Sequence, residues 1–287
     1  MNRMPVLWEV GCRTIDCSQR PCIMGVLNVT PDSFSDGNRF FTLDRAVARA
    51  LEMEAEGADI IDVGGESTRP NAPPVDAQEE LKRVVPVIEA LAGKLRIPVS
   101  IDTYKASVAE AALSAGAEIV NDISGLTFDP RMAAILGGSR AGLVVMHTRG
   151  NPQVMQQNTA YADILAEVSA SLRWSLDQAC AAGVAVERIV VDPGIGFGKS
   201  VEGNLEILRR LSELVVLGRP ILVGPSRKSF IGAVLDRGPD ERLFGTAAVI
   251  ALSMANGASI FRVHDVRAMR DVADMAQAIC RPAGGAG

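Results

Sequence analysis

The first strand–helix–strand unit of the chain has the sequence CIMGVLNVTPDSFSDGNRFFTLDRAVARALEMEAEGADIIDV (residues 22–63). It begins and ends with short apolar runs, 22–29 and 59–63, which are typical of parallel strands buried on both faces. The segment between them, predicted as a helix over residues 42–56, has an apolar stripe formed by Leu43, Ala46, Val47, Ala50 and Leu51. Thr42 is predicted as the N-cap of this helix, and Gly57 as the residue that ends it.

The same alternation continues along the chain. Further strands are predicted at 98–102, 117–122, 142–147, 188–192, 220–224 and 259–263. Further helices are predicted at 76–92, 105–115, 162–182, 200–213, 227–235, 241–256 and 265–280. Eight strands with helices between them, in about 260 residues, predict an α/β protein with a single-domain (β/α)8 (TIM) barrel. A doubly wound open sheet is the alternative, but it usually has fewer strands and a phosphate-binding fingerprint in its first turn.

We expect the barrel domain to span residues 22–281. Residues 1–21 are predicted to be an N-terminal extension and residues 282–287 a flexible tail, both peripheral to the barrel. The chain of 287 residues is long enough for this one domain but too short to include a second enzyme.

Composition and charge exclude several classes of protein. With 48% hydrophobic and 22% charged residues the chain is globular, neither disordered nor collagen-like. No apolar run reaches the roughly 18 residues of a membrane span, and the N-terminus lacks a signal peptide, so we expect a cytoplasmic protein without a membrane partner. A net charge of −5 and only 4% aromatic residues argue against nucleic-acid binding. The five cysteines are expected to be free thiols, since Cys12, Cys17 and Cys22 are spaced too widely for a common zinc motif.

Polar residues end nearly every predicted strand, where packing does not require them. They are Asn28, Asp62, Asp102, Asn121, Asp122, His147, Asp192, the triplet 226–228, Arg262 and His264. Any one of them alone is more simply explained as a helix cap or a satisfied strand end. In a barrel, however, the carboxyl ends of all strands meet at the mouth where active sites lie. Carboxylates, amides and cations together there predict a site for a polar heterocycle and an anion, which arginine binds in two-point contact.

Four loops contain candidate functional motifs. The segment DPGIGFGKS (192–200) lacks the first glycine of a P-loop, because Pro193 stands there, and is interpreted as a strand-to-helix loop. In NVTPDSFSDG (28–37), Phe34 either closes as a lid over a ligand or packs into the barrel rim. VGGESTRP (63–70) ends in a polar cluster. In GPSRKSF (224–230), Ser226 is predicted to cap a helix whose N-terminus binds an anion, the alternative being a plain cap with two solvated cations.

These motifs together resemble the dihydropteroate synthases, the folate-pathway family that sulfonamides inhibit. The resemblance runs in order from residue 22 to residue 280. It rests on MGVLNVTPDSFSDG (24–37), ADIIDVGGESTRP (58–70), VSIDTYKASVAEAAL (99–113), IVNDISG (119–125), VVMHTRGNPQVMQ (144–156), VVDPGIGFGK (190–199), GPSRKSFIG (224–232) and FRVHDVRA (261–268).

The resemblance implies a transferase that condenses 6-hydroxymethyl-7,8-dihydropterin diphosphate with 4-aminobenzoate. The products are 7,8-dihydropteroate and pyrophosphate, and Mg²⁺ assists the departure of pyrophosphate. The resemblance also implies a homodimer and competitive inhibition by sulfonamides. Breaking the C–O bond before the arylamine attacks would give a pterin cation.

The resemblance assigns roles residue by residue. Asn28 is expected to be the magnesium-linked residue, and Asp36 is the candidate stabiliser of the cation. The diphosphate contacts are expected to be Thr68, Arg69, Arg262 and His264. The pterin pocket is expected to consist of Asp102, Asn121, Asp192 and Lys228, with Asp62 and Met146 close by and Arg262 stacked on the ring. Gly224 is also expected to bind substrate. The aminobenzoate site is expected to include Phe34, Pro70, Phe197 and Ser226. Asp36, Lys228, Arg262 and His264 are the expected catalytic residues.

Two related functions stay open at this point. A pterin-binding methyltransferase domain shares the barrel, but the intact loops 28–37 and 224–230 favour the synthase. A noncatalytic paralogue that only binds pterin is disfavoured, since every key position is filled. Pro225, Thr148 and Asn151 depart from the usual family pattern near the substrate mouth.

Overall fold

The computed structural model describes residues 6–18, 20–30, 39–67, 72–151 and 153–280. An N-terminal hairpin precedes the barrel and consists of β1 (Leu7–Val10) and β2 (Arg13–Asp16). The barrel strands are β3 (Cys22–Asn28), β4 (Ile60–Gly64), β5 (Val99–Asp102), β6 (Ile119–Asp122), β7 (Gly142–Met146), β8 (Ile189–Asp192), β9 (Leu222–Val223) and β10 (Ile260–Val263). All eight predicted barrel strands are therefore confirmed.

The barrel strands form one parallel sheet in the order β8-β7-β6-β5-β4-β3-β10-β9. A parallel bridge between Val191 and Ile221 joins the two outer strands, β8 and β9, and closes the sheet. This closure confirms the (β/α)8 barrel and excludes the open-sheet alternative. None of the helices in these ranges is long and apolar enough to cross a membrane.

The helices are α1 (Arg39–Ala55), α2 (Ala77–Leu91), α3 (Ala106–Ser114), α4 (Met132–Gly137), α5 (Ile164–Ala181), α6 (Val201–Arg209), α7 (Ser229–Leu235), α8 (Leu243–Ala255) and α9 (Val266–Cys280). Asp76 caps α2 by accepting a hydrogen bond of 2.9 Å from the Glu79 N–H. The N-cap assigned to Thr42 is wrong, because α1 already begins at Arg39. α4 was missed because six residues are too few to display a repeating apolar stripe.

The hairpin closes the amino-terminal end of the barrel, contrary to the peripheral placement expected for the first 20 residues. Trp8 and Val10 are fully buried and pack against the inward-facing residues Met24, Ile60 and Ile260. The Trp8 indole N–H donates to the Arg188 carbonyl at 2.8 Å. The barrel interior is thus apolar at this end, so a ligand reaches it from the opposite mouth.

The two tryptophans of the chain provide a matched test of this plug. Trp8 is fully buried, whereas Trp174 on α5 is 44% exposed. We expect Trp8→Ala to lower the free energy of unfolding by about 3–5 kcal/mol, because it leaves a cavity in the core. Trp174→Ala should lower the free energy of unfolding by about 1 kcal/mol or less. Urea unfolding of both variants measures the difference, and equal losses would contradict the structural role of the hairpin.

Candidate functional site

The carboxyl-terminal half of the barrel interior is polar and charged. Side chains from five strands converge there because alternate residues of each strand point inward and the carboxyl ends of parallel strands meet at one mouth. They are Asp62 on β4, Asp102 on β5, Asn121 on β6, Asp192 on β8 and Arg262 on β10. All four of the acidic and amide residues among them are at most 8% exposed. The structure therefore brings together the pterin-pocket residues predicted from the sequence.

Arg262 is the centre of this cluster. Its Nε donates to Oδ2 of Asp62 at 2.6 Å and its Nη2 donates to Oδ2 of Asp102 at 2.6 Å. The Asn121 amide donates to the same Asp62 oxygen at 3.1 Å. Burial acts to lower the pKa of Arg262, but the charges of Asp62 and Asp102 outweigh it and raise that pKa above its ordinary value. One guanidinium is thus held in a fixed plane by two carboxylates.

The second oxygens of these carboxylates are available to a ligand. Oδ1 of Asp62 and Oδ1 of Asp102 are buried and accept no hydrogen bond from the described residues. Burial raises the pKa of Asp102 to about 7, against the opposing charge of Arg262. Burial also raises the pKa of Asp192 to about 6, although the Gly194 N–H donates to it at 2.7 Å. Donors brought by a ligand would satisfy these oxygens.

Lys228 and Phe197 form the side of the pocket next to Asp192. The Lys228 ammonium lies 4.1 Å from the centroid of the Phe197 ring. Burial and the nearby charge of Arg262 lower the pKa of Lys228 to about 8. Gly196 makes this approach possible, since a Cβ there would lie 2.9 Å from Cδ of Lys228. Phe197 and Met146 pack together in a small apolar cluster, which offers a surface for a flat ring.

Ser226 and His264 contact each other on the other side of Lys228. Oγ of Ser226 accepts from the His264 backbone N–H at 3.2 Å and lies 3.0 Å from Nδ1 of its ring. Burial, with Arg262 close by, lowers the pKa of His264 to about 4. His264 is therefore a neutral hydrogen-bonding group at pH 7.

The helix cap assigned to Ser226 is wrong. α7 begins at Ser229, and Lys228 is its N-cap residue, without a capping side chain. The reason is local backbone geometry: Arg227 has a φ of 58°, outside the right-handed helical region, so the helix starts only after it. Gly224 at the end of β9 lies beside Arg262, with its Cβ position 3.7 Å from Cβ of that arginine.

Asn28 ends β3 at the rim of the same pocket. A Cβ on its neighbour Gly64 would lie 3.5 Å from Oδ1 of Asn28 and 3.7 Å from Oδ2 of Asp102. Within the described ranges, no group of three or more His, Cys, Asp or Glu could hold a metal ion. One amide oxygen fits a Mg²⁺ that takes its other ligands from phosphate and water, as Mg²⁺ commonly does, but not a metal caged by protein.

Comparisons with known proteins agree with this geometry. The Pterin binding enzyme family matches residues 24–264. The dihydropteroate synthase of Synechocystis sp. is 50% identical over 273 residues, which cover 95% of this chain and 94% of that protein. The chain belongs to the dihydropteroate synthase family.

Solved dihydropteroate synthases also share the fold. The crystal structure of the Clostridium difficile enzyme, determined in the presence of pteroic acid, superposes with a TM-score of 0.89 at 50% identity and covers 93% of this chain and all of that one. The Yersinia pestis enzyme in complex with a sulfonamide drug has a TM-score of 0.89 at 40% identity, over 95% of this chain and 98% of that one. The resemblance drawn from the sequence is thus confirmed, and the chain is a transferase of the dihydropteroate synthase type.

Sequence reasoning missed Lys199, which is buried at the end of the loop 193–199. Its Nζ contacts the carbonyls of Gly194 and Phe197 at 2.9 and 2.8 Å and Nδ1 of His147 at 2.9 Å. Burial lowers the pKa of Lys199 to about 7. The glycines of this loop were a signal for it, because Gly194, Gly196 and Gly198 all have positive φ and fold the backbone around the ammonium.

Five predicted site residues lie outside the described ranges. They are Phe34, Asp36, Thr68, Arg69 and Pro70. Their roles stay predictions from the family resemblance.

The raised pKa of Asp102 makes stability depend on pH in a defined direction. An unfolded Asp titrates near about pH 4, whereas Asp102 in the folded protein titrates at about 7. Between these values the folded state holds a proton that the unfolded state has released, so this group lowers the free energy of unfolding as pH rises.

Asp102→Asn removes this titration. We therefore expect the variant to gain stability relative to the wild type as pH rises from about 4 to about 7, and the difference to level off above that range. Urea unfolding at a series of pH values measures this, with Glu110→Gln on the exposed face of α3 as the control for charge removal. If the difference in free energy of unfolding between Asp102→Asn and the wild type did not change with pH, the assigned environment of Asp102 would be wrong.

Proposed function

We propose that this chain condenses 6-hydroxymethyl-7,8-dihydropterin diphosphate with 4-aminobenzoate at the carboxyl-terminal mouth of its barrel. The observation that carries the proposal is the guanidinium of Arg262 held between two buried carboxylates, each with one oxygen that accepts no hydrogen bond from the residues that the structure describes. Such a site is costly to bury without a ligand that supplies hydrogen-bond donors. A pterin ring supplies ring N–H and amino donors in one plane.

The pterin ring is proposed to lie among Asp102, Asn121 and Asp192, with Lys228 at its edge. The carboxylates would accept from the N–H and amino groups, and the Asn121 amide can both donate and accept. The fixed plane of Arg262 offers a face for stacking on the ring. Met146 borders this position because it belongs to the apolar cluster with Phe197. Asp62 borders it through its ion pair with Arg262.

The aminobenzoate is proposed to pack against Phe197, close to the segment 226–229. Phe34 and Pro70 are proposed to complete this site. Sulfonamides would compete for it, as the complex of the Yersinia pestis relative with a sulfonamide drug suggests for this chain. We therefore propose sulfonamides as competitive inhibitors with respect to 4-aminobenzoate.

The chemistry proposed requires charge stabilisation more than a strong base. The C–O bond between the pterin methylene and the diphosphate breaks, and pyrophosphate leaves with the bonding electron pair. The arylamine nitrogen then attacks the methylene carbon and releases a proton to solvent. Arg262 and Lys228 would stabilise the departing negative charge, together with Thr68, Arg69 and a hydrogen bond from neutral His264. Because the arylamine is a weak nucleophile, its position relative to the methylene carbon controls the rate.

Two residues are proposed for the remaining roles. Asp36 would stabilise the pterin cation. Asn28 would hold a Mg²⁺ that arrives with the diphosphate, and such an ion when bound neutralises charge on the leaving phosphates. The cytoplasmic location expected from the sequence stays a prediction.

Pyrophosphate release tests the function directly. We expect the purified protein to release pyrophosphate only when pterin diphosphate, 4-aminobenzoate and Mg²⁺ are all present, with each omitted in turn as a control. Lys228→Ala should lower the rate at least about 100-fold, because an electrostatic contact to the reacting groups is lost. Its circular dichroism should be unchanged, and Lys82→Ala, on the exposed face of α2, should keep full activity. No formation of 7,8-dihydropteroate with all three present, or full activity of Lys228→Ala, would refute the proposal.

We also propose that the chain is a homodimer through α8 and α9. On α8 the exposed residues Phe244, Ala248, Leu252 and Ala255 recur at helical spacing and are all apolar. Phe244 is 84% exposed and Leu252 66% exposed. Ile279 on the neighbouring helix α9 is 71% exposed. Exposed apolar residues grouped on neighbouring helices are typical of a subunit interface.

A single charge on this surface should dissociate the dimer. We expect Phe244→Asp to be monomeric by light scattering at concentrations where the wild type is dimeric, because the carboxylate would be buried unpaired. Val216→Asp is the matched control, since Val216 is 72% exposed outside these helices. A dimeric Phe244→Asp, or a monomeric wild type, would contradict the proposed interface.

A further inference from the structure

Ser100 is a buried hydroxyl with no assigned role. It lies on β5, fully buried, beside Asp62 of β4 in the register of the two strands. Its Oγ has no hydrogen-bond partner among the described residues. Native proteins rarely leave a buried hydroxyl unpaired, because an unpaired buried group costs about 1–3 kcal/mol.

The hydroxyl faces the interior of the barrel. Ser100 and Asp102 are two residues apart on β5 and so point to the same face, on which Asp102 meets Arg262. Ile101 between them packs in the core on the other face of the sheet. Across the strand pair β5–β6, Ser100 is aligned with Ile119, which belongs to the apolar layer around Trp8. Ser100 therefore lies where the apolar plug ends and the polar pocket begins.

Three oxygens on this inner face of β4 and β5 have no hydrogen-bond partner in the part of the chain that the structure describes. They are Oγ of Ser100, Oδ1 of the adjacent Asp62 and Oδ1 of Asp102. An ionised carboxylate only accepts hydrogen bonds, whereas a hydroxyl also donates one. The three atoms thus match a group that donates to the carboxylates and accepts from the hydroxyl. A heterocycle edge with an N–H beside a bare ring nitrogen has this pattern, and so does a water molecule.

We infer that Ser100 is a further pterin-binding residue, whose hydroxyl forms with Asp62 the polar floor of the pocket. This floor binds either the edge of the ring that has an N–H beside a bare ring nitrogen, or a water molecule held beneath the ring. The inference rests on the proposed function, since it names one more contact of the same site. It explains why a serine stands in a strand position that is otherwise suited to an apolar residue.

Ser100→Ala tests the inference against a matched control. Ser253 and Ser259 are also buried serines with no hydrogen-bond partner within the described ranges, but they lie on α8 and just before β10. We expect Ser100→Ala to weaken the Kd of pterin diphosphate about three- to tenfold, as measured by calorimetry with Mg²⁺ and without 4-aminobenzoate. Ser253→Ala and Ser259→Ala should bind as the wild type does. Without ligand, the Tm of Ser100→Ala should equal or exceed that of the wild type, because no intramolecular hydrogen bond is lost.

The outcomes separate this inference from the proposed function. Binding by Ser100→Ala equal to that of the wild type would overturn the inference while leaving the function intact, whereas a wild type that binds no pterin would refute the function itself. Ser100→Cys keeps a side chain there but only a weak donor. If Ser100→Cys bound pterin diphosphate as tightly as the wild type, the weaker binding of Ser100→Ala would be due to lost packing. The inference would then be wrong. A crystal structure of the pterin complex distinguishes direct contact of the ring with Oγ from a bridging water.

Discussion

The ion pairs of Arg262 with Asp62 and Asp102 are the interaction on which the site depends. Two carboxylates buried inside a closed barrel cost several kcal/mol each unless a cation stabilises them. Arg262 supplies that cation from β10, which β3 and β4 separate from β5 in the sheet. The guanidinium therefore links strands that share no backbone hydrogen bond, and it fixes the carboxylate oxygens that remain for a ligand.

The two ends of the barrel interior differ in polarity. The hairpin around Trp8 fills the amino-terminal end with apolar side chains. In that low-dielectric setting the pKa values of Asp102, Asp192 and Lys228 approach neutrality. Groups with such pKa values change protonation at little cost, which suits a site that exchanges charged substrates and products.

The strands, and the polar strand-end residues that meet at the mouth, could be predicted from the sequence for one physical reason. Both are local patterns, an apolar run followed by a polar residue, and the barrel topology brings all the strand ends together. Trp8 and Lys199 were missed because their burial depends on segments far away in the chain. The cap at Ser226 failed because a single left-handed residue, Arg227, delays the helix. The loops that include Phe34 and Arg69 were assigned by resemblance, and no local pattern predicts their conformation.

The position of the hairpin in the chain has a consequence for biosynthesis. The hairpin, residues 7–16, is synthesised long before Leu222 and Ile260, with which Trp8 packs, and Arg20 pairs with Asp274 at 2.8 Å. Trp8 therefore lacks these partners until β10 has been synthesised. The amino-terminal end of the barrel can close only late in folding, because its closure depends on contacts between residues far apart in the sequence.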